Sequence, residues 1–478
     1  MGLLKRVLVV FALSVAFCLP AMFAVFATPR TSFAQTYSPD DNTTLKQIII
    51  FGRHSIRSTV TSQAELNGLS GQPYPSGIIT TPPGLLTQNG KTAEGLLGAY
   101  FQQYLIQEGL LTGNPTVDAA QCYFRSNSIE RSYETALAFQ NALIPNTAPA
   151  VRSYPFSATS SQPDPVFDPI LAGVAQVDPS IAVSQAQALY NTFGADGPLP
   201  GAYSAEYALI HNVLSANGAS PPKVDPTTLP IVFSPGPTPY MTSEVINPGG
   251  LALVEDAVDP FVMEYADGLP LGEVAWGLMS EDQISQQTRA GELLMNIEMR
   301  LPYLDQVQSS NVGAHILRTL ALGASFAGPR YPRLPALRSF GAFGNERFPV
   351  VVVISSDTFV SGLAGLLNLH WQLPTYQPDF CAPGGALVFE LRQNNSNRAY
   401  IVRVYYTAQS LDQLRNLTRL SLSVPPETVQ LLIPFGSGYT DISYNYFSSL
   451  LTNAIDWNCV EDRNKEQPPG VFDYTGPQ

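Results

Sequence analysis

Residues 48–51, Ile-Ile-Ile-Phe, form an apolar run too short for a helix and unbroken by any polar residue, the pattern of a strand buried in a sheet. The same pattern returns late in the chain at Val350–Ile354. Between them, Lys91–Leu111 carries apolar residues at helical spacing, with Leu96, Leu97, Tyr100, Phe101, Tyr104 and Leu105 on one face. Cys122–Phe124 is a second short strand. Asn127 followed by Glu130 has the form of a capping box and predicts a helix over 128–143. After Val350–Ile354, Val360, Leu363, Ala364 and Leu367 again repeat at helical spacing. Strand, helix, strand, helix is the order of an α/β sheet.

From about residue 150 to 310 the texture changes to proline-punctuated loops and helical segments. The clearest helices there are "VEDAVDPFVMEYADGLP" and "QQTRAGELLMNIEMRLPYLDQV". Strand signal resumes at Val350, and Ala386–Ala408 reads as a hairpin around an Asn-rich turn. The expected organisation is an α/β domain from residues 35–150 and 320–478, with 151–319 inserted as a smaller, mostly helical cap. Residues 1–34 read as a signal peptide. Lys5 and Arg6 precede an apolar stretch over 7–27, and cleavage is expected after Ala34 or, alternatively, after Ala27. An uncleaved anchor is the other reading of that stretch. The expected location is periplasmic or secreted, which permits disulfides. Cys122, Cys381 and Cys459 leave the pairing open. Cys381 with Cys459 is preferred, and Cys122 is taken as a buried thiol.

Three strand ends carry polar residues: Arg53-His54-Ser55-Ile56-Arg57, Asn127 to Arg131, and Ser355-Ser356-Asp357. Ligands of open α/β sheets collect beyond strand carboxyl ends, where helix N-termini receive anions. If the three ends converge, they gather three arginines, one imidazole and one carboxylate. Guanidinium forks match phosphate oxygens, an imidazole can attack phosphorus, and a carboxylic acid can protonate a leaving oxygen. No cofactor and no metal are expected. The overall charge of −13, with only 13% charged residues, argues against a nucleic-acid partner.

These motifs resemble the histidine acid phosphatases, branch 2 of the histidine phosphatase superfamily, and in particular the bacterial periplasmic phytases and glucose-1-phosphatases. Their signatures are Arg-His-Gly-x-Arg-x-Pro near the N-terminus and His-Asp late in the chain. "RHSIRST" stands at the first, and "SSDTFVSGLAGLLNLHWQLP" at the second. "ERSYETALAFQNALIP", "PDPVFDPILAGVAQVD", "PGGALVFE" and "LTRLSLSVPPETVQL" extend the likeness over nearly all of the chain after the leader. The resemblance implies a central mixed sheet flanked by helices. It makes His54 the nucleophile of a phosphohistidine intermediate and Asp357 the proton donor. Arg53, Arg57, Arg131 and Ser356 become phosphate-binding positions, and Asp259 a secondary acid near the donor.

Three positions depart from the pattern. Ser55 replaces glycine, Thr59 replaces proline, and Ser356 replaces the histidine of the His-Asp pair. The implied function is a secreted or periplasmic acid phosphatase acting on phosphomonoesters, sugar phosphate or phytate-like. The alternative is an impaired homologue that binds phosphorylated ligands without turnover, because Ser356 is short and neutral. The partner is a small-molecule phosphomonoester, with no stable membrane association after leader cleavage. "VQSSNVGAHIL", where an extra basic residue would suit phytate, has none, which favours a less anionic ester. Arg125 is expected at a strand end facing solvent. His211, His315 and His370 are expected to be structural or surface residues.

Overall fold

The computed structural model describes residues 42–461, apart from 76–79, 148–149, 158–159, 193–200, 217–230, 241–243, 326–340, 345–347 and 434–438. The leader expected over 1–34 lies outside the described residues. The main sheet contains β1 (Thr43–Arg53), β2 (Cys122–Ser126), β3 (Val151–Arg152), β4 (Val350–Ser355), β5 (Ala386–Asn394), β6 (Tyr400–Ala408), β7 (Glu427–Gln430) and β8 (Asp441–Ser443). Their order is β7-β6-β5-β1-β4-β2-β3, with β8 paired to β6. β1 is parallel to β4 and antiparallel to β5, and β2 is parallel to β4 and β3. The sheet is therefore mixed, as expected.

The helices that bear on the site are α1 (Gln88–Gln107), α2 (Glu130–Leu143), α3 (Pro179–Thr192), α4 (Ser204–Ala216), α5 (Gly250–Ala266), α6 (Glu281–Met299), α7 (Pro302–Ser325) and α8 (Asp357–Leu366). They explain why the central strands have no polar alternation. Ile48, Ile50, Val350 and Val352 pack with Leu97, Phe101, Ala136 and Phe139 of α1 and α2. Ile49, Phe51, Val351 and Val353 turn to the other face, into one cluster with Phe261, Leu293, Leu317 and Val360. Both faces are dry. Each such aliphatic contributes about 1.5–3 kcal/mol by burial, so a polar residue at any of these positions would be strongly disfavoured.

Several local expectations are corrected. α2 starts at Glu130 after an N-cap Ile129 that makes no side-chain cap bond, so Asn127 and Glu130 form no capping box. The Glu130 carboxylate accepts from the Leu86 amide instead, at 3.0 Å. The segment "QQTRAGELLMNIEMRLPYLDQV" spans two helices, α6 and α7, the second opened by Pro302, whose missing N–H costs nothing in a first turn. α7 also runs across the position, 319, where the cap was expected to end. All three cysteines in the described residues are free and buried, so the preferred Cys381–Cys459 bridge is absent. Cys459 packs with Ala175 and Val307 instead. Among the described residues, no helix is long and apolar enough to cross a membrane.

Arg125 does not face solvent. It is 6% exposed, and its Nη2 donates to both carboxylate oxygens of the fully buried Asp164 at 2.7 Å. Asp164 also receives the Val166 amide at 3.0 Å, tying β2 to the start of the helical stretch. Asp164→Ala strands a buried guanidinium. It should therefore lower unfolding stability by about 3–5 kcal/mol, read as a reduced urea midpoint at unchanged slope.

Candidate active site

The register of the two central parallel strands places Arg53, the last residue of β1, opposite Ser355, the last of β4. The chain leaving β1 is then clamped from both sides. The His54 amide donates to the Ser355 carbonyl at 2.8 Å, and the Gly384 amide donates to the His54 carbonyl at 3.0 Å. α1 presses on the following turn through Gly90, where any side chain would collide with the Ile56 carbonyl. Only glycine fits there.

His54 is 1% exposed, and its Nδ1 lies 2.9 Å from the Ser55 carbonyl oxygen. A carbonyl can only accept, so Nδ1 carries the hydrogen and Nε2 keeps the lone pair. Burial, followed by the charges of Arg131, Arg53 and Arg57, drives the imidazole pKa well below its usual value. The ring is therefore neutral near neutral pH.

The three guanidiniums differ in how they are engaged. Arg53 Nη2 is 2.8 Å from an Asp357 oxygen, and its Nη1 donates to the Cys381 carbonyl at 2.5 Å. Arg57 grips Asp259 with both Nη atoms, at 2.9 and 3.1 Å. Arg131 has only a long bond to the Gly84 carbonyl, 3.3 Å, and its buried Nε has no partner. Burial and then Arg57 push Arg131 down to about 10, with Asp357 opposing and Arg53 adding to the effect. That shift marks cations held together with too little negative charge between them.

Asp357 opens α8, a favourable place for a carboxylate beside helix N–H groups. Burial pushes its carboxyl up, but Arg53, Arg57, the Thr358 amide and Arg131 outweigh it, and its pKa lies below the usual carboxylate range. Ser356 is the N-cap residue of α8, is 7% exposed, and makes no side-chain cap bond. Ser55 is buried and is not among the residues of positive φ, so the position does not need glycine's backbone freedom. Its amide donates to Thr135 Oγ1 at 3.1 Å. Thr59 is buried too, with its hydroxyl on the Thr61 carbonyl at 2.9 Å.

Arg53, Asp259 and Asp357 thus line one cleft, Arg57 holds Asp259, and the charges of Arg53, Arg57 and Arg131 act on both His54 and Asp357, with Ser356 next to Asp357 in the chain. The other histidines lie elsewhere. His315 packs on Phe343 at 5.3 Å, His370 Nδ1 is 2.6 Å from Asp379, and His211 Nε2 is 3.4 Å from Ser215 on α4. Sequence reasoning missed the cleft wall itself. Beyond Arg53, Asp259 and Asp357, it is lined by Glu255, Gln287, Glu292, Phe380 and Cys381, among others. Glu255 could have been found one helical turn before Asp259, whereas Glu292 gave no signal. The segment "VQSSNVGAHIL", whose lack of a basic residue is the sequence argument against a highly anionic ester, is in α7 and is not part of the cleft lining. Among the described residues, no group of three or more His, Cys, Asp or Glu could hold a metal ion.

No family model matches the chain. It is 26% identical to the phytase AppA of Escherichia coli (strain K12) over 85% of this chain and 89% of that protein. It is 24% identical to the glucose-1-phosphatase of Providencia rettgeri, over 87% of this chain and 91% of that one. The fold superposes on the Hafnia alvei phytase in complex with tartrate with a TM-score of 0.71 and 23% identity, covering 89% of this chain and all of that one. The likeness therefore runs through the sheet and the inserted helices alike, and the chain is a homologue of the bacterial phytases and glucose-1-phosphatases of the histidine acid phosphatase family.

Proposed function

We propose that the protein hydrolyses phosphomonoesters through a phosphohistidine at His54. The observation that carries this is a neutral imidazole with a free Nε2 lone pair, set among three guanidiniums and one helix-capping acid. In the first step Nε2 forms a bond to phosphorus as the ester P–O bond breaks, and Asp357 gives its proton to the leaving oxygen. In the second, water attacks phosphorus, Asp357 takes back a proton, the N–P bond breaks and phosphate leaves. Arg53, Arg57 and Arg131 hold the phosphoryl oxygens throughout. In the resting site, the Asp357 and Asp259 carboxylates occupy Arg53 and Arg57. A phosphate dianion that displaces Asp357 from Arg53 raises the Asp357 pKa, which places the proton where the first step needs it. The helices of residues 151–319 cover the leaving-group side. Export to the periplasm or medium belongs to this proposal and rests on the basic-then-apolar segment before residue 35.

A second reading, a phosphate binder without turnover, is favoured by one feature alone. Ser356 offers a short neutral hydroxyl where the family has a histidine. The deciding experiment is phosphate release from a panel of monoesters at acidic and neutral pH, with rapid quench for an acid-labile, base-stable phosphoenzyme. A pure binder would show phosphate affinity that collapses in Arg57→Ala and no phosphoenzyme. For an enzyme, restoring one preorganised donor should help: Ser356→His is expected to raise kcat/KM on glucose 1-phosphate by up to about 10²-fold. An unchanged or lower rate would mean that the serine is fitted to this site.

A further inference from the structure

The wall of the cleft built by α5 and α6 brings together three carboxyl groups, those of Glu255, Asp259 and Glu292, beside the Gln287 amide and the Thr288 hydroxyl. Glu292 is 7% exposed, lines the cleft, and has an Oε1 atom without any partner. Gln287, five residues earlier and 1% exposed, also lines the cleft and has a buried Oε1 without a partner. Glu255 completes the set from α5, lying so close to Gly291 of α6 that any side chain there would strike its carboxylate. The glycine makes room for the acid.

The charges follow the same pattern. Among the described residues, Arg53 is the single cation lining the cleft, and Asp357 already meets it. Burial and then Asp259 and Asp357 push the Glu255 carboxyl up to about 8. Burial and then Asp379 push Glu292 well above its usual value, against the pull of Arg300. A second phosphate or a carboxylate on the substrate would meet three carboxyl groups on this wall and no cation supplied by it. A group with several N–H donors and a positive charge would satisfy the orphaned oxygens and stabilise both glutamates as anions.

We propose that this wall is the leaving-group site, and that Glu255 and Glu292 select phosphomonoesters whose alcohol carries a primary ammonium group. The proposal rests on the hydrolase assignment of His54 for its kinetic form only. Charge-assisted hydrogen bonds to a desolvated ammonium correspond to a preference of about tenfold or more.

The test compares ω-aminoalkyl phosphates of two to six carbons with ω-hydroxyalkyl phosphates of equal length, at about pH 6, on the full mature chain. At one or more lengths kcat/KM should favour the amine about tenfold, and inositol hexakisphosphate should be the poorest ester. Glu292→Gln and Glu255→Gln, which keep size and shape, should each bring the amine-to-hydroxyl ratio toward one. A ratio near one at every length in the unmodified chain overturns the proposal, whatever the variants do. So does an amine preference that survives both substitutions. If no ester is turned over, the hydrolase assignment fails separately. Calorimetric affinities of the same ester pairs then decide this one, with equal affinities overturning it.

Discussion

His54→Ala should lower kcat/KM for every phosphomonoester by at least about 10⁴-fold, because the proposed mechanism bonds its Nε2 to phosphorus. The substitution leaves the surrounding frame in place. The clamps on residue 54 are backbone bonds, to Ser355 and from Gly384, and neither uses the ring. Phosphate affinity should therefore persist in the variant, since Arg53, Arg57 and Arg131 are untouched, while rapid quench finds no phosphoenzyme. Added imidazole should restore part of the turnover by entering the vacated space. The proposed nucleophile should also stay neutral below the pH at which a free imidazole protonates. Burial and three arginines hold the imidazole pKa well below the usual 6.5, so the neutral form persists as pH falls through that value. Turnover in His54→Ala matching that of the unmodified chain would end the mechanism.

Asp357→Asn should divide substrates by their leaving groups. An alkoxide leaves poorly without a proton, so hydrolysis of a sugar phosphate should fall by about 10²–10⁴-fold. An activated aryl phosphate barely needs that proton and should lose about tenfold or less. The pH profile of the unmodified enzyme has the same origin. Arginines keep the Asp357 carboxyl below its ordinary range in the empty site, and a bound dianion works against them, so the protonated fraction grows as pH falls. Alkyl esters should accordingly turn over best below neutrality, and the aryl ester should show a flatter profile. Equal losses on both substrates in Asp357→Asn would show that the aspartate is not the proton donor.

What could be read from the sequence was whatever neighbouring residues specify together. The unbroken runs at Ile48 and Val350 gave two central strands, because a strand covered on both faces has no polar alternation to hide it. Helical spacing gave α1 and α8. The polar segments at three strand ends pointed to the edge where the structure brings Arg53 and Asp357 together, since a sheet in this class delivers its strand ends to one edge. Features that depend on a distant partner were illegible. Arg125 looked like a solvent residue because Asp164, its partner, belongs to another segment. Asn127 and Glu130 had capping spacing, yet the Leu86 amide claimed the glutamate. Glu255 and Glu292 lay in amphipathic helices where acids ordinarily face water, and only the packing of α5 against α6 turns them inward.

The placement of β1 has a consequence for how the protein is made. Its two neighbours, β4 and β5, both come from the last third of the chain. A ribosome produces this apolar strand early and cannot supply either pairing edge until Val350 and then Ala386 have emerged. Throughout that interval the central strand of the sheet has neither of the strands it pairs with. Such long-range pairings form slowly and leave sticky edges exposed, so the nascent chain needs a holding chaperone or delayed collapse. Arg53 and Asp357 meet only after that wait, and a chain truncated before β4 carries its first motif on a strand without a sheet.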